Sequence, residues 1–220
     1  MHYNISPYID AFSTMRNEEL PYPTLQPHQV HDDKIVVVER TDMTRDDLEG
    51  IDALITALPD YAIAVRTADC VPVLLYDPLR QVIAAIHSGW RGTVKRISQK
   101  TIRLMTERFG TNPSDLMAVI GPSIGPDSFQ VGKEVADEFL AARFPMDDIL
   151  SDRGEKVEGT MQGGIHIDLW QANKWLLTQL GVKPQNIQVA GICTYEDGRF
   201  FSARREGAAC GRIINAIKLL

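Results

Sequence analysis

RTADCVPVLLYDPLRQVIAAIHSGWRG, residues 66–92, holds two apolar runs with a polar cluster at the outer end of each. By β-branched content and alternation, Val71–Tyr76 and Val82–Ile86 are strands, and Asp77-Pro78-Leu79-Arg80 between them is a turn signal. The stretch predicts a hairpin. Cys70 stands where the first strand begins and His87 where the second ends, so antiparallel pairing brings a thiol and an imidazole to one end of a sheet. The rest of the chain is read outward from that pair.

A thiol beside an imidazole admits three readings. Thiolate and neutral imidazole are both zinc ligands, and a third ligand would complete a site with one open position. They are equally a nucleophile and its base, with His87 lowering the thiol pKa. They are also what a buried Cys packed beside a hydrogen-bonded His looks like. The flanks favour chemistry: Arg66, Thr67 and Asp69 lead into Cys70, and Ser88-Gly89-Trp90-Arg91-Gly92 follows His87 and opens a helix. Free N–H groups at a helix start, with Arg91 beside them, suit an anion such as phosphate.

A chain of 220 residues, 44% of them hydrophobic, can bury a sizeable core and reads as one domain, residues 1–220. Its net charge of −6, with Lys and Arg scattered along the chain, argues against nucleic acid as a partner and for a small-molecule ligand. The first twenty residues lack a basic and apolar leader, and no run is long enough to span a bilayer, so no membrane is expected and the reading is cytoplasmic. Cys70, Cys193 and Cys210 are an odd number without a disulfide-scaffold spacing, which fits a reducing compartment. Cys193 and Cys210 are read as packing residues.

In chain order, a short strand near Ile9–Ser13 is followed by proline-rich coil, and Gln29-Val30-His31 leads into a strand at Ile35–Glu39. His31, in that loop, is the candidate third ligand. A helical turn near Arg45–Leu48 and strands Ala53–Thr56 and Ala62–Thr67 come next, the last delivering Arg66 and Asp69 to the hairpin. From Gly92 to Gly110 one helix is expected, with Val94, Ile97, Thr101, Leu104, Met105 and Phe109 on its apolar face and Lys95, Arg96, Lys100 and Arg103 on a solvated one. Strand Leu116–Ile120 runs into the Gly121-Pro122-Ser123-Ile124-Gly125-Pro126 loop, which either lies against a flat ligand or turns the chain. A second helix begins at Val131, and a third follows Ile167 with Asp168 capping toward Gln171; His166 before it is read as a capping or surface group. Ile187–Cys193 is a strand, Ser202 with Arg204 and Arg205 is a candidate grip for phosphate or carboxylate, and Gly211–Leu220 is the final strand. The fold class is α/β, a mixed β-sheet core with flanking helices outside it.

The motifs Gln29-Val30-His31, Asp52-Ala53-Leu54-Ile55-Thr56, Thr67-Ala68-Asp69-Cys70-Val71-Pro72-Val73, His87-Ser88-Gly89-Trp90-Arg91-Gly92, Ile120-Gly121-Pro122-Ser123-Ile124-Gly125-Pro126 and Phe200-Phe201-Ser202 with Arg204-Arg205 together resemble one family. It is the laccase-domain, or multicopper polyphenol oxidase-like, family, whose members are also described as purine nucleoside phosphorylases. The resemblance, from about Phe12 to the end, implies an α/β fold similar to the cytotoxic necrotizing factor catalytic domain. It implies zinc held by His31, Cys70 and His87, with copper the less favoured metal. It also implies phosphorolysis of adenosine, inosine, guanosine and methylthioadenosine, with adenosine deamination as a second activity.

On that basis Cys70, His87, Asp69 and Arg66 are the expected catalytic group, Asp69 as an orienting one, and Arg91, Arg204, Arg205 and Ser202 join Arg66 as expected phosphate or substrate contacts. Five histidines, His2, His28, His31, His87 and His166, are too few for a trinuclear copper cluster beside other sites, so a true laccase is not expected. Two departures from the family bear on the pocket: Asp127-Ser128 replaces a cysteine pair, and the segment between Arg16 and Gln29 is short. A metal-independent cysteine hydrolase and a non-enzymatic partner protein of cell-wall precursors are the alternative classes.

Overall fold

The structure, a computed structural model, describes residues 1–220. Twelve strands are β1 (Ile9–Ser13), β2 (Ile35–Val38), β3 (Ala53–Thr56), β4 (Ile63–Thr67), β5 (Val71–Asp77), β6 (Val82–Ser88), β7 (Met117–Ile120), β8 (Gln130–Val131), β9 (Leu150–Asp152), β10 (Ile165–Ile167), β11 (Ile187–Val189) and β12 (Ile213–Leu219). The helices are α1 (Trp90–Val94), α2 (Ile97–Phe109), α3 (Lys133–Ala141), α4 (Met146–Ile149), α5 (Leu169–Gln179) and α6 (Ala203–Glu206). No helix is long and apolar enough to cross a membrane.

The hairpin β5–β6 is the centre of a six-stranded sheet ordered β11-β7-β5-β6-β3-β2. Its outer pairs, β11 with β7 and β2 with β3, are parallel and the inner ones antiparallel, so the sheet is mixed. Every residue of β5 and β6 is buried. The physical reason is that both faces are covered, which turns an alternating pattern into a continuous apolar run. Val71, Val73, Leu75, Val82, Ala84 and Ile86 face one core, which α2 and α5 complete with Ile97, Ile102, Met105, Leu176 and Leu177. Leu74, Tyr76, Ile83 and Ala85 face the other, where the partner layer is the antiparallel sheet β1-β12-β4 rather than helices. Helices therefore flank one face of the mixed sheet, as expected, and a second sheet covers the other. A third small sheet, β8-β10-β9, forms between Gln130 and Ile167.

Five local expectations also change. The helix predicted from Gly92 is broken at Arg96, which takes a left-handed φ of 62°. Arg96 is half-buried rather than solvated: its guanidinium donates to Ala142 O at 2.8 Å and lies over Phe144 and Trp175. Val131 ends β8, and the second helix starts at Lys133. His166 is buried in β10 with its ring nitrogens facing the carbonyls of Gly164 and Met161. The strand from Ile187 stops at Val189, and Gly191 then takes φ +64° as the chain leaves the sheet. The Asp168 cap on Gln171 N stands as read, at 2.9 Å.

What this frame does for function is hold one sheet end rigidly. Ser88, at the end of β6, donates to Asn173 of α5 at 2.7 Å and lies 3.0 Å from Thr93 of α1, all three fully buried. A satisfied polar cluster of this kind fixes the loop after His87 to the helical layer.

Candidate metal centre

Antiparallel register places Pro72 opposite His87 and Val71 opposite Ser88, so Cys70 just outside β5 comes beside the end of β6. His31 reaches the same point from the loop before β2. The donor atoms of His31, Cys70 and His87 all lie within 4.8 Å of one another. The two imidazoles meet edge-on with centroids 4.8 Å apart. His87 is buried, Cys70 is half-buried and His31 is exposed, so the corner opens to one side. One thiolate and two imidazoles form a donor set for a borderline-soft divalent ion, with the open side left for water or substrate.

The residue that assembles this corner is Asp52, which carried no role in the sequence reading. It is fully buried just before β3. Its Oδ1 sits 2.7 Å from His87 Nδ1, which leaves Nε2 as that ring's other donor. The same carboxylate accepts the backbone N–H groups of Val30, His31 and Asp32 at 3.2, 3.0 and 2.9 Å. It thus holds a loop in which His31 adopts φ +63°, a conformation that costs free energy for a residue with a Cβ. One carboxylate positions two of the three candidate ligands, the arrangement that fixes tautomer and ring orientation at metal sites.

The electrostatics follow from this geometry. Burial pushes the Cys70 thiol up, but the charge of His87 and the approach of both imidazoles outweigh it, and the pKa falls to about 6. Burial pushes His87 down, and Cys70 with Asp52 raises it to about 9. Burial also works against the Asp52 carboxylate, yet His87 and the Asp32 and Val30 N–H groups bring it below its ordinary value. The metal-free corner is therefore a thiolate–imidazolium pair backed by a carboxylate. Gly89 supplies the room for the sulfur, since a Cβ there would lie 2.9 Å from Cys70 Sγ.

Two cavities meet at this corner. The larger, about 580 Å³, is lined by His31, Cys70 and His87 together with Gln29, Thr67, three arginines (Arg45, Arg66 and Arg212) and the Ala208–Arg212 segment. The smaller, about 330 Å³, is lined by His31, Cys70, Asp69 and Arg204 with the apolar side chains of Trp90, Ile124, Phe129 and Leu169. The cleft thus has a cationic wing and an apolar wing.

The other expected site residues divide. Arg66 lines the cationic wing. Asp69 reaches the apolar wing, but both its oxygens are engaged: Oδ1 by Thr194 Oγ1 and Oδ2 by Arg204 N, each at 2.7 Å. At φ +89° it shapes the turn into Cys70. Arg204 also borders that wing, its guanidinium over the Phe129 ring and donating to Gln130 O at 3.0 Å. Arg91 lies over the Trp90 indole, 4.2 Å from its centroid, and lines neither cavity.

Arg205 and Ser202, expected as phosphate contacts, line neither cavity. Arg205 spends its guanidinium on the carbonyls of Thr194, Tyr195 and Phe200 and on Glu206. Ser202 is buried and caps α6 by accepting from Arg205 N. They form a structural brace because α6 must be tied down for Ala203 and Arg204 to border the cleft. Asp127 and Ser128 also stand outside the lining: Asp127 pairs with Arg153, and Ser128 donates to Glu196 at 2.9 Å. The short segment before Gln29 does contribute, through Pro27. Arg45, Arg212, Trp90 and Phe129 were not singled out as cleft residues because their signal lies in the three-dimensional lining. Asp52 had a signal, a carboxylate directly before the apolar run Ala53-Leu54-Ile55.

Comparison with known proteins agrees with the fold. The family model described as multi-copper polyphenol oxidoreductase laccase matches residues 12–220. A Bacteroides thetaiotaomicron protein named purine nucleoside phosphorylase is 39% identical over 99% of this chain and 84% of its own length. A protein named adenosine deaminase RL5, from an unknown prokaryotic organism, is 38% identical over 88% of this chain and 74% of its own. The crystal structure of the Bacillus licheniformis hypothetical protein YfiH superimposes with a TM-score of 0.84 at 28% identity, covering 96% of this chain and 93% of that one. The mixed sheet, the motifs at its open end and these matches agree, and the chain belongs to the multi-copper polyphenol oxidoreductase laccase family.

Proposed function

We propose that the chain is a zinc-dependent purine nucleoside phosphorylase acting on adenosine, inosine, guanosine and methylthioadenosine, with adenosine deamination as a second activity. The observation that carries this is the position of the His31–Cys70–His87 trio at the junction of a cationic and an apolar wing. A nucleoside reacting with phosphate presents the same two chemistries joined at one carbon. The names of the relatives from Bacteroides thetaiotaomicron and of adenosine deaminase RL5 support the same substrate class.

In phosphorolysis an oxygen of hydrogen phosphate bonds to C1′ of the ribose. The C1′–N9 bond breaks, its electron pair leaves on the purine, and the proton carried by phosphate ends on the purine ring. The chain must therefore hold an anion beside an aromatic ring and keep the reacting carbon close to the junction. Trp90 and Phe129 offer faces for the purine, and Arg66 offers charge to phosphate. Asp52 keeps His87 oriented throughout. In deamination water adds to C6 of the purine instead, the C6–N bond to the exocyclic amine breaks, and that nitrogen leaves as ammonia while C6 becomes a carbonyl. Zinc, when bound by His31, Cys70 and His87, supplies Lewis acidity at the junction.

Zinc is preferred to copper on the donor set. His2 is committed to Asp10, His28 faces Glu49, and His166 is enclosed by carbonyls, so none of these imidazoles adds to the trio. The test is metal content of protein purified without added metal, together with base release from inosine and adenosine with and without phosphate. Near-stoichiometric zinc and phosphate-dependent release are expected, and both are expected to vanish in Cys70→Ala. Full activity in Cys70→Ala overturns the assignment.

A second reading draws on the same corner. Cys70, His87 and Asp52 also stand in the order of nucleophile, base and orienting carboxylate, with the thiol already lowered to about 6. A metal-independent thiol hydrolase built this way would purify without zinc and be inactivated by alkylation in the presence of a chelator. Chelation that abolishes activity, reversed by zinc, decides against it.

A further inference from the structure

The cationic wing contains more charge than Arg66 alone, and its charge is unopposed. Three guanidinium groups border it from separate parts of the chain: Arg45 from the turn before Asp46–Leu48, Arg66 from β4 and Arg212 from the residue before β12. No Asp or Glu lines the cavity. Of the fifteen arginines, Arg16, Arg40, Arg108, Arg153, Arg199 and Arg205 pair with carboxylates. Arg45, Arg66 and Arg212 have none.

The three are also close enough to repel. Burial lowers the Arg66 guanidinium below its ordinary pKa, and the charges of Arg45 and Arg212 lower it further. Arg66 Nε is a buried donor without a partner. Such a group costs free energy unless a ligand accepts from it. The chain nonetheless holds Arg66 in place, because the Gln29 side chain brackets its backbone, accepting from Arg66 N at 2.8 Å and donating to Arg66 O at 2.9 Å. Arg212 is anchored by donating to the carbonyls of Cys210, Gly211 and Ala208. Three guanidinium groups bordering one cavity, one of them with an unsatisfied buried donor, are suited to a tetrahedral oxyanion, whose several oxygens accept at once.

We propose that Arg45, Arg66 and Arg212 form an oxyanion subsite that holds the inorganic phosphate attacking the nucleoside, leaving the wing lined by Trp90, Ile124, Phe129 and Leu169 to the purine. This rests on the phosphorylase reading for the identity of the reaction, but not for the binding of phosphate itself. It also separates these three arginines from Arg204, which borders the apolar wing, and from Arg205, which lines neither cavity.

The test measures inorganic phosphate directly and kinetically. Binding is titrated by calorimetry in a phosphate-free buffer without nucleoside, and the KM values for phosphate and for inosine are measured separately. Arg45 is exposed on a surface turn, so Arg45→Ala is expected to fold and keep its metal. Losing one charge-assisted contact is expected to raise both the phosphate Kd and the phosphate KM by about 10-fold or more. The double variant Arg45→Ala/Arg212→Ala weakens phosphate further, Arg45→Lys recovers part of the loss, and the inosine KM at saturating phosphate moves far less. Unchanged phosphate binding in the double variant overturns the subsite, as does an equal loss in the KM of both substrates. A nucleoside 5′-monophosphate that binds through these arginines where inorganic phosphate does not would make the subsite one for a phosphomonoester, and the proposal would fall. Wild-type protein that releases no base yet binds phosphate through these arginines would remove the phosphorylase reading and leave the subsite standing.

Discussion

Asp52 and Asp69 are both buried carboxylates at the same end of the six-stranded sheet, each a residue or two from the start of a strand, yet they perform different tasks. Asp69 accepts only from neutral donors, the Thr194 hydroxyl and the Arg204 amide, and so ties the Thr194 and α6 segments to the turn before Cys70. Asp52 accepts from three amides of the His31 loop and also faces a titratable ring, His87. The first fixes chain geometry; the second fixes geometry and charge together. A carboxylate that sets the protonation of a ligand is part of the site's chemistry even though it lines neither wing of the cleft.

The largest expected effect comes from Asp52→Ala. It leaves His87 and three amide donors without their acceptor, and removal of one partner from a buried charged pair costs about 3–5 kcal/mol. In a chain of this size that corresponds to a fall in Tm of order 10 °C. Zinc affinity is expected to drop about 10–100-fold, as for other losses of a carboxylate behind a ligating imidazole. Differential scanning calorimetry and a competitive chelator titration would read the two effects. Retained zinc affinity in Asp52→Ala would break the distinction between the two aspartates.

Next comes the pH dependence of Cys70 in metal-stripped protein. Because its thiol lies at about 6, alkylation by iodoacetamide should rise through a midpoint near pH 6 rather than near the usual thiol value. The sign follows from the thiolate being the reactive form: its population grows as pH rises through the lowered pKa. Asp52→Asn removes the charge that helps keep His87 protonated and should move the midpoint upward. Asp69→Asn should leave it in place. Movement with Asp69 and not with Asp52 would invert the comparison.

Asp69→Asn is expected to cost less stability, about 1–3 kcal/mol, since the amide keeps one oxygen acceptor and misplaces a donor against Arg204 N. Urea denaturation would measure it, and zinc content should stay near that of the wild type. The smallest stability change is expected for Gly89→Ala, about 1 kcal/mol, at the low end for adding a methyl to a packed site. Its Cβ would press on Cys70 Sγ, so zinc affinity should fall while both aspartates remain engaged. Unaltered zinc affinity there would show that the sulfur has more freedom than the geometry gives it.

The two carboxylates were not equally readable. Asp69 sits next to Cys70, so a reading that begins from the thiol meets it at once. Asp52 lies 18 residues upstream, and nothing in its own neighbourhood announces that β3 pairs with β6 and brings it under His87. Arg205 and Ser202 show the reverse case: near neighbours with phosphate-binding chemistry, whose groups are turned into the chain by a one-turn helix. Local sequence gives the donor types present, while the direction each points depends on the backbone it is attached to.

The sequence by itself determined the hairpin, its neighbouring strands and the convergence of Cys70 with His87, because strand alternation and an antiparallel turn leave one register that buries the apolar residues. It also determined the donor chemistry of the trio, since thiol and imidazole are properties of residue types. Only the tertiary structure decided that a second sheet covers one face, that Asp52 assembles the corner, and that Arg45, Arg66 and Arg212 share a wing. Those outcomes depend on contacts between segments distant in the chain, whose free energies exist only once the layers have packed.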